Sequence, residues 1–259
     1  MSIQDDLEQK DLVPRHGSTR RRRKRPDVIA EKVRDQIITA DLRVGDRIPA
    51  DWVLPETLNA SRGTVREALK ILEIEGLIIT KTGPGGGLFV SAIDPEDAIR
   101  FLDNLFLSEP PSIPDIYSLR RQLEPELAAG LAGKLSDAQF SHLQSLIYLY
   151  EDEPTSAEEE YRQRLAELDF HTGLAALSEN RLLGFVCRFL HSLLQDKSEC
   201  RAIYSEPTPW GKREMGVGYQ VQLLRALKQG DRQEAGRIMR AHMIEAEKFM
   251  IERAVLLRK

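Results

Sequence analysis

The sequence predicts a mainly α-helical protein in two parts: a small N-terminal unit of three helices closed by a β-hairpin, then a long bundle without strands. Three observations carry this. Ser61 to Val90 reads as a capped helix followed by two short apolar runs around a glycine-rich turn. From Asp94-Pro95 onward strand signals vanish, and amphipathic patterns run to the C-terminus. At 259 residues the chain exceeds the common single-domain size, so two domains are expected.

Composition narrows the function classes. A hydrophobic fraction of 41% and a charged fraction of 30% describe a chain able to bury a core. No apolar run approaches the roughly 20 residues that span a bilayer. The N-terminal MSIQDDLEQKDLVPRHGS lacks the apolar stretch of a secretory signal. A cytoplasmic protein with no membrane partner is expected. Two cysteines, Cys187 and Cys200, are too few for a disulfide framework and read as reduced thiols. The net charge is −4, but residues 1–92 carry +2 and residues 93–259 carry −6. Arg15 to Arg25 holds seven basic residues and no acidic one. The N-terminal end is the one suited to meet phosphate.

Residues 1–25 have few apolar positions and no periodicity, and read as a disordered basic arm. Its run Arg20 to Arg25 is either a solvated tail or an arm laid on nucleic-acid phosphates. A first helix is expected over Pro26 to Ala40, with Val28, Ile29, Val33, Ile37 and Ile38 at helical spacing. Asp51 to Asn59 forms a short second helix, with Pro55 tolerated only in a first turn or at a kink. Ser61 to Glu75 is the third, anchored by Val65, Leu69, Ile71, Leu72 and Ile74, and Leu77 to Ser91 the hairpin. The unit spans 26–92. In 93–259, helices are expected over 95–107, 113–133, 136–150, 157–177, 180–197, 213–229 and 231–255, an all-α bundle.

The third helix carries the first chemistry. Ser61 caps it by accepting a first-turn N–H, and Gly63 and Thr64 are small enough for close backbone approach. Arg62 and Arg66 fall one turn apart on its exposed front. They are either surface charges pairing with Glu67 or Glu73, or readers of guanine edges and phosphates in double-stranded DNA. The hairpin tip, with Gly85, Gly86 and Gly87, allows positive φ and close main-chain approach to a groove. It matches neither a P-loop nor a dinucleotide fingerprint. A basic capped helix followed by a glycine-tipped hairpin is the layout of a winged helix-turn-helix.

IPADWVLPETLNASRGTVREALKILEIEGL followed by GPGGGLFV resembles the N-terminal domain of GntR-family bacterial transcription regulators. Pro49, Ser61, Arg62, Val65, Arg66, Glu67, Ala68, Leu69, Leu72, Gly76 and Leu77 match that pattern over roughly residues 28–91. Trp52 stands where the family usually has an Arg, so a DNA contact made there by other members is missing or is replaced by indole packing on the sugar. The basic arm is expected to compensate.

The second part resembles the FCD effector-binding domain of the FadR subfamily. LRRQLEPELAAGLA, ELDFHTGLAALSENRLL and LLRALKQGDRQEAGRIMRAHM carry the likeness, over about 95–250. Many members hold a divalent metal with Asp-x-x-x-His and two further histidines. The aligned set here is Glu167, His171, Gln220 and His242, altered at two positions. A degenerate zinc or nickel site of Glu167, His171 and His242 is one reading. The other is that the histidines are satisfied core residues and that Gln220 and the histidines bond an effector directly. Arg120, with Glu124 one turn away, is either a structural ion pair or a carboxylate-binding fork. By resemblance the effector is a small organic acid.

Together these readings predict a homodimeric transcription regulator, a repressor of a near-palindromic operator whose DNA affinity an organic acid modulates. An enzyme is not expected, since no nucleophile-plus-base motif, HExxH or phosphate loop occurs in the chain. The rivals are a metal-dependent hydrolase using Glu167, His171 and His242, and a ligand-independent architectural DNA binder.

Overall fold

The computed structural model describes residues 24–149 and 152–257. Apart from Lys24 and Arg25, the expected basic arm lies outside these residues. The chain divides into two compact units at Asp94–Pro95.

The first unit starts with α1 (Arg25–Thr39). Pro26 sits in its first turn, where a missing N–H costs nothing, and the Asp27 carboxylate accepts from the Lys24 N–H at 2.9 Å. Ile29, Ala30, Val33 and Ile37 form its buried stripe. Val28 and Ile38 were also expected inside, yet they are 52% and 66% exposed. Both flank the i, i+4, i+8 stripe by about 100° and fall off it.

The expected second helix is two pieces. A 3₁₀ turn (Ala50–Val53) gives way at Leu54, and α2 (Pro55–Leu58) begins afresh. Pro55 occupies the first position of α2 because it has no N–H to continue the preceding turn. Asn59 then reverses the chain at φ 46°. Next comes α3 (Arg62–Ile74), which turns Val65, Ala68 and Leu72 inward. Ile74, expected as an anchor, is 76% exposed.

The hairpin β1 (Ile78–Lys81) and β2 (Gly87–Val90) pairs antiparallel, from Ile78 opposite Val90 to Lys81 opposite Gly87. Ile78 and Val90 seal the unit's core with Ile48 and Leu58.

The second unit is entirely helical among the described residues. It contains α4 (Pro95–Asp103) with a 3₁₀ turn (Asn104–Phe106), α5 (Ile113–Leu131), α6 (Asp137–Tyr148) and α7 (Ala157–Ala176). There follow α8 (Arg181–Asp196), α9 (Ser198–Ser205), α10 (Trp210–Gln229) and α11 (Arg232–Leu257). The α9 helix was not expected, although Cys200, Ile203 and Tyr204 stand at helical spacing and are buried.

The main packing in the bundle is α5 against α11. Pro125 lies inside α5 and cannot donate to the Arg121 carbonyl one turn back. Arg240 of α11 reaches across to that carbonyl at 3.3 Å. The helices lie so close at this level that a Cβ on Gly236 would meet the Pro125 carbonyl oxygen at 3.4 Å.

Burial distinguishes the two faces of α3. Leu72→Ala should lower the unfolding free energy of the N-terminal unit by about 2–5 kcal/mol. Ile74→Ala should stay within about 0.5 kcal/mol. Urea denaturation followed by far-UV circular dichroism measures both, and equal losses would refute the assigned face.

Candidate functional site

The N-terminal unit presents one chemically equipped surface. The Ser61 hydroxyl accepts from the Thr64 N–H at 3.2 Å and lies 2.8 Å from the Thr64 hydroxyl, which fixes the start of α3. Arg62 and Arg66 are exposed, and neither makes an ion pair among the described residues. Of the two carboxylates the sequence offered as partners, Glu67 is exposed and makes no ion pair among the described residues, and Glu73 is engaged elsewhere. Glu73 takes Lys70 at 3.3 Å and the Thr80 hydroxyl, tying α3 to β1.

A Cβ on Gly63 would meet nothing nearer than 3.8 Å, so its smallness leaves open space rather than serving internal packing. At the hairpin tip the roles differ. Gly85 has φ 80°, whereas Gly86 is compact because a Cβ there would lie 2.5 Å from the Lys81 carbonyl oxygen. Trp52 packs partly buried against the unit's core.

The second unit encloses a cluster of buried polar side chains. Arg120 and Glu124, one turn apart on α5, are each 2% exposed and bond each other through Arg120 Nε. Glu124 is a hub. Its Oε2 takes His171 Nδ1 of α7 at 2.7 Å, and its Oε1 takes His191 Nε2 of α8 at 3.1 Å. Burial works against a charged Glu124, but Arg120 and then the two histidines more than offset it, holding the carboxyl well below its usual range. An ionised carboxylate only accepts, so both histidines donate to it.

His171 Nε2, on the other side of the ring, faces His242 Nε2 of α11 at 3.1 Å. Burial pushes His242 down to about 3 and His191 down to about 4, so both are neutral near pH 7. His191 escaped the sequence reading. Its signal was a polar residue in line with the buried Cys187, Leu190 and Leu194 on α8.

Two adjoining cavities open on this cluster. One is walled by Tyr117, Arg120, Arg164, Glu167, His171 and Tyr204 among others. The other shares Arg164, Glu167 and His242 and adds Lys212, Tyr219 and Glu245. Arg120 uses only Nε for Glu124, and among the described residues its two terminal amino groups have no hydrogen-bond acceptor. The Gln220 side chain is 1% exposed, and neither its oxygen nor its nitrogen has a partner among the described residues.

The expected metal set is not assembled. Glu167, His171 and His242 line one cavity, but the Glu167 carboxylate is bonded to Arg164. Among the described residues no group of three or more His, Cys, Asp or Glu side chains is arranged to hold a metal ion. Asp169 is exposed, on another face of α7, as its i,i+2 spacing from His171 requires.

Comparison with known proteins decides the family. Residues 26–90 match the model of the bacterial regulatory proteins of the gntR family, and residues 115–245 match the FCD domain. The chain belongs to the GntR family. It is 27% identical over 226 residues to the uncharacterized HTH-type regulator YcbG of Bacillus subtilis, covering 86% of each chain. With the regulator LutR of the same organism it shares 26% identity, over 82% of this chain and 94% of the relative. A protein of Escherichia coli named for the L-lactate dehydrogenase operon is 26% identical, over 85% of this chain and 84% of that one. The solved Streptococcus agalactiae GntR has the same fold, with TM-score 0.55 and 19% identity over 86% of this chain and 99% of that one. This GntR protein is a transcription regulator and not an enzyme.

The histidine cluster sets a pH response. The unfolded chain protonates His191 below its ordinary value of 6.5, whereas the folded chain resists until about 4. The unfolded state therefore holds more protons across that window, and stability is lost as pH falls through it. Unfolding free energy from urea titrations should drop between pH 7 and 5, and His191→Asn should show a shallower drop. Parallel profiles would refute the assignment.

Proposed function

We propose that this GntR protein is a cytoplasmic, homodimeric repressor whose helical unit binds a small carboxylate and, once loaded, releases a near-palindromic operator. The observation that carries the effector reading is the Arg120 guanidinium. It is walled into a cavity, held at one edge by Glu124, with its terminal amino groups turned to no protein acceptor among the described residues. A buried guanidinium is costly unless its donors are answered, and a carboxylate answers two in parallel. Tyr117 and Tyr204 stand in the same wall. Burial pushes the Tyr117 phenol up to about 12, keeping it a donor.

Held this way, the ligand needs no metal bridge. A hydroxyl next to the carboxylate would find His171 and His242 in the same wall. A relative named for an L-lactate dehydrogenase operon supports 2-hydroxy acids as the first compounds to try. Gln220, expected at the effector, lines neither cavity, and only its two unanswered amide atoms favour a polar ligand beside it.

On the DNA side, Ser61, Arg62, Gly63, Thr64 and Arg66 would enter the major groove, with Gly85, Gly86 and Gly87 against the backbone. Two units on a twofold axis would then fit a near-palindrome.

Calorimetric titration with L-lactate, glycolate and succinate tests the effector reading. At least one should bind, and Arg120→Met should weaken it at least about tenfold, as expected when a charged hydrogen bond is lost. Undiminished binding by the variant would refute the role. Operator selection from a random library tests the DNA side. Arg62→Ala or Arg66→Ala should relax preference at one base position, costing about 1–3 kcal/mol there. A uniform loss over all sequences would make that arginine a phosphate contact.

A further inference from the structure

The hairpin after α3 has only four residues in each strand, and a two-stranded ribbon of that length is marginal in water. Its support comes from Arg43 to Ile48, the stretch leading to the 3₁₀ turn. Ile48 N donates to Leu88 O, Gly45 N to Val90 O, and Val90 N to Asp46 O, all at 2.9 Å. Arg47 pairs with Phe89 as an antiparallel bridge, so a short third strand lies along β2.

Strand alternation then sorts the side chains. Ile78, Leu88 and Val90 face the core with Ile48. Directly opposed residues share a face, so Arg47, Phe89 and Ile79 lie on the outer one, with Lys81 opposite Gly87. Arg47 crosses that face to the tip, where its Nη2 donates to the Gly86 carbonyl at 2.7 Å. It lies so low over the ribbon that a Cβ on Gly87 would come within 2.9 Å of its Nε. From the other side Lys81 Nζ sits 4.7 Å from the centre of the Phe89 ring. Arg47 and Lys81 are both exposed, and neither has a carboxylate partner among the described residues.

We propose that Arg47 and Lys81, seated on either side of Phe89, form a second DNA-backbone contact on the outer face of the wing. Arg47 also braces the glycine tip against collapse. The inference rests on the DNA-binding reading of α3 but concerns residues outside α3 and outside the tip. The two cations suit phosphate for distinct reasons. Arg47 is fixed at one edge by Gly86 and keeps other N–H groups for an anionic oxygen, while Lys81 is a point charge steadied by an aromatic ring. Neither reads sequence, because both would meet the backbone.

The test is the salt dependence of binding to a fluorescein-labelled, random-sequence duplex of about 30 base pairs, since counterion release does not depend on base sequence. Full-length protein is titrated between about 50 and 200 mM salt, the range over which phosphate contacts dominate the change. Arg47→Ala and Lys81→Ala should each flatten the slope of log affinity on log salt by about 0.9 per phosphate released. Lys134→Ala removes the same charge from the helical unit and should leave the slope unchanged. If wild type binds, Arg62→Ala weakens it and the Arg47 and Lys81 variants keep the wild-type slope, the wing contact is overturned and the α3 reading stands. If wild type binds no duplex, both fall.

Discussion

A buried arginine is the constraint from which the helical unit takes its order. Arg120 is 2% exposed, and a guanidinium at that depth must be answered by an anion and by acceptors, or the fold pays several kcal/mol. Glu124, one turn along the same helix, is the answer. Its carboxylate in turn collects His171 from α7 and His191 from α8. Three helices are thus pinned by one carboxylate. Because that carboxylate is ionised, it dictates which nitrogen of each histidine carries the proton. His191 Nδ1 is then an acceptor, and Thr172 lies 3.1 Å from it. His171 Nε2 lies 3.1 Å from His242 Nε2, which brings α11 into the same network.

The N-terminal unit solves a different problem with weaker forces. The start of α3 is held rigid, while the arginines on its surface stay without ion-pair partners among the described residues. Ser61 and Thr64 provide the rigidity through local hydrogen bonds. Glu73 provides the release. By binding Lys70 and Thr80 it is drawn toward the hairpin, away from the arginines at the front of α3. Exposed ion pairs are individually weak, so the consequence is less stability than availability: Arg62 and Arg66 stand without an ion-pair partner among the described residues.

Local signals were legible in the sequence, and features made by tertiary packing were not. The cap at Ser61, the exposed arginines and the glycine turn could be read directly, because each depends on spacing within a few residues. Pro55 announced a break, and its position at the start of α2 rather than inside one helix follows from its missing N–H. His191 was hidden because a lone histidine on an apolar face gives no clue that Glu124 lies opposite, 67 residues away. Arg47 was hidden for the same reason. Its partner carbonyl at Gly86 is 39 residues distant, and nothing in its neighbourhood marks it. The α9 helix followed its predecessor after a single extended residue, Lys197 at ψ 123°, which periodicity alone cannot resolve.

The altered metal positions gain a physical sense from Arg164. Its guanidinium bonds Glu167, and it lies 5.2 Å from the Phe249 ring centre and 5.7 Å from that of Tyr204. Aromatic faces stabilise a cation, and the carboxylate completes the pairing, so a permanent positive charge already stands at the junction of the two cavities. A divalent ion beside it would face repulsion and would have to draw Glu167 away from Arg164. At the position aligned with a metal-ligand histidine, Gln220 contributes an amide that neither loses a proton nor competes for soft metals. A chain-borne cation differs from a bound ion in one functional respect. Its charge is present at every metal concentration.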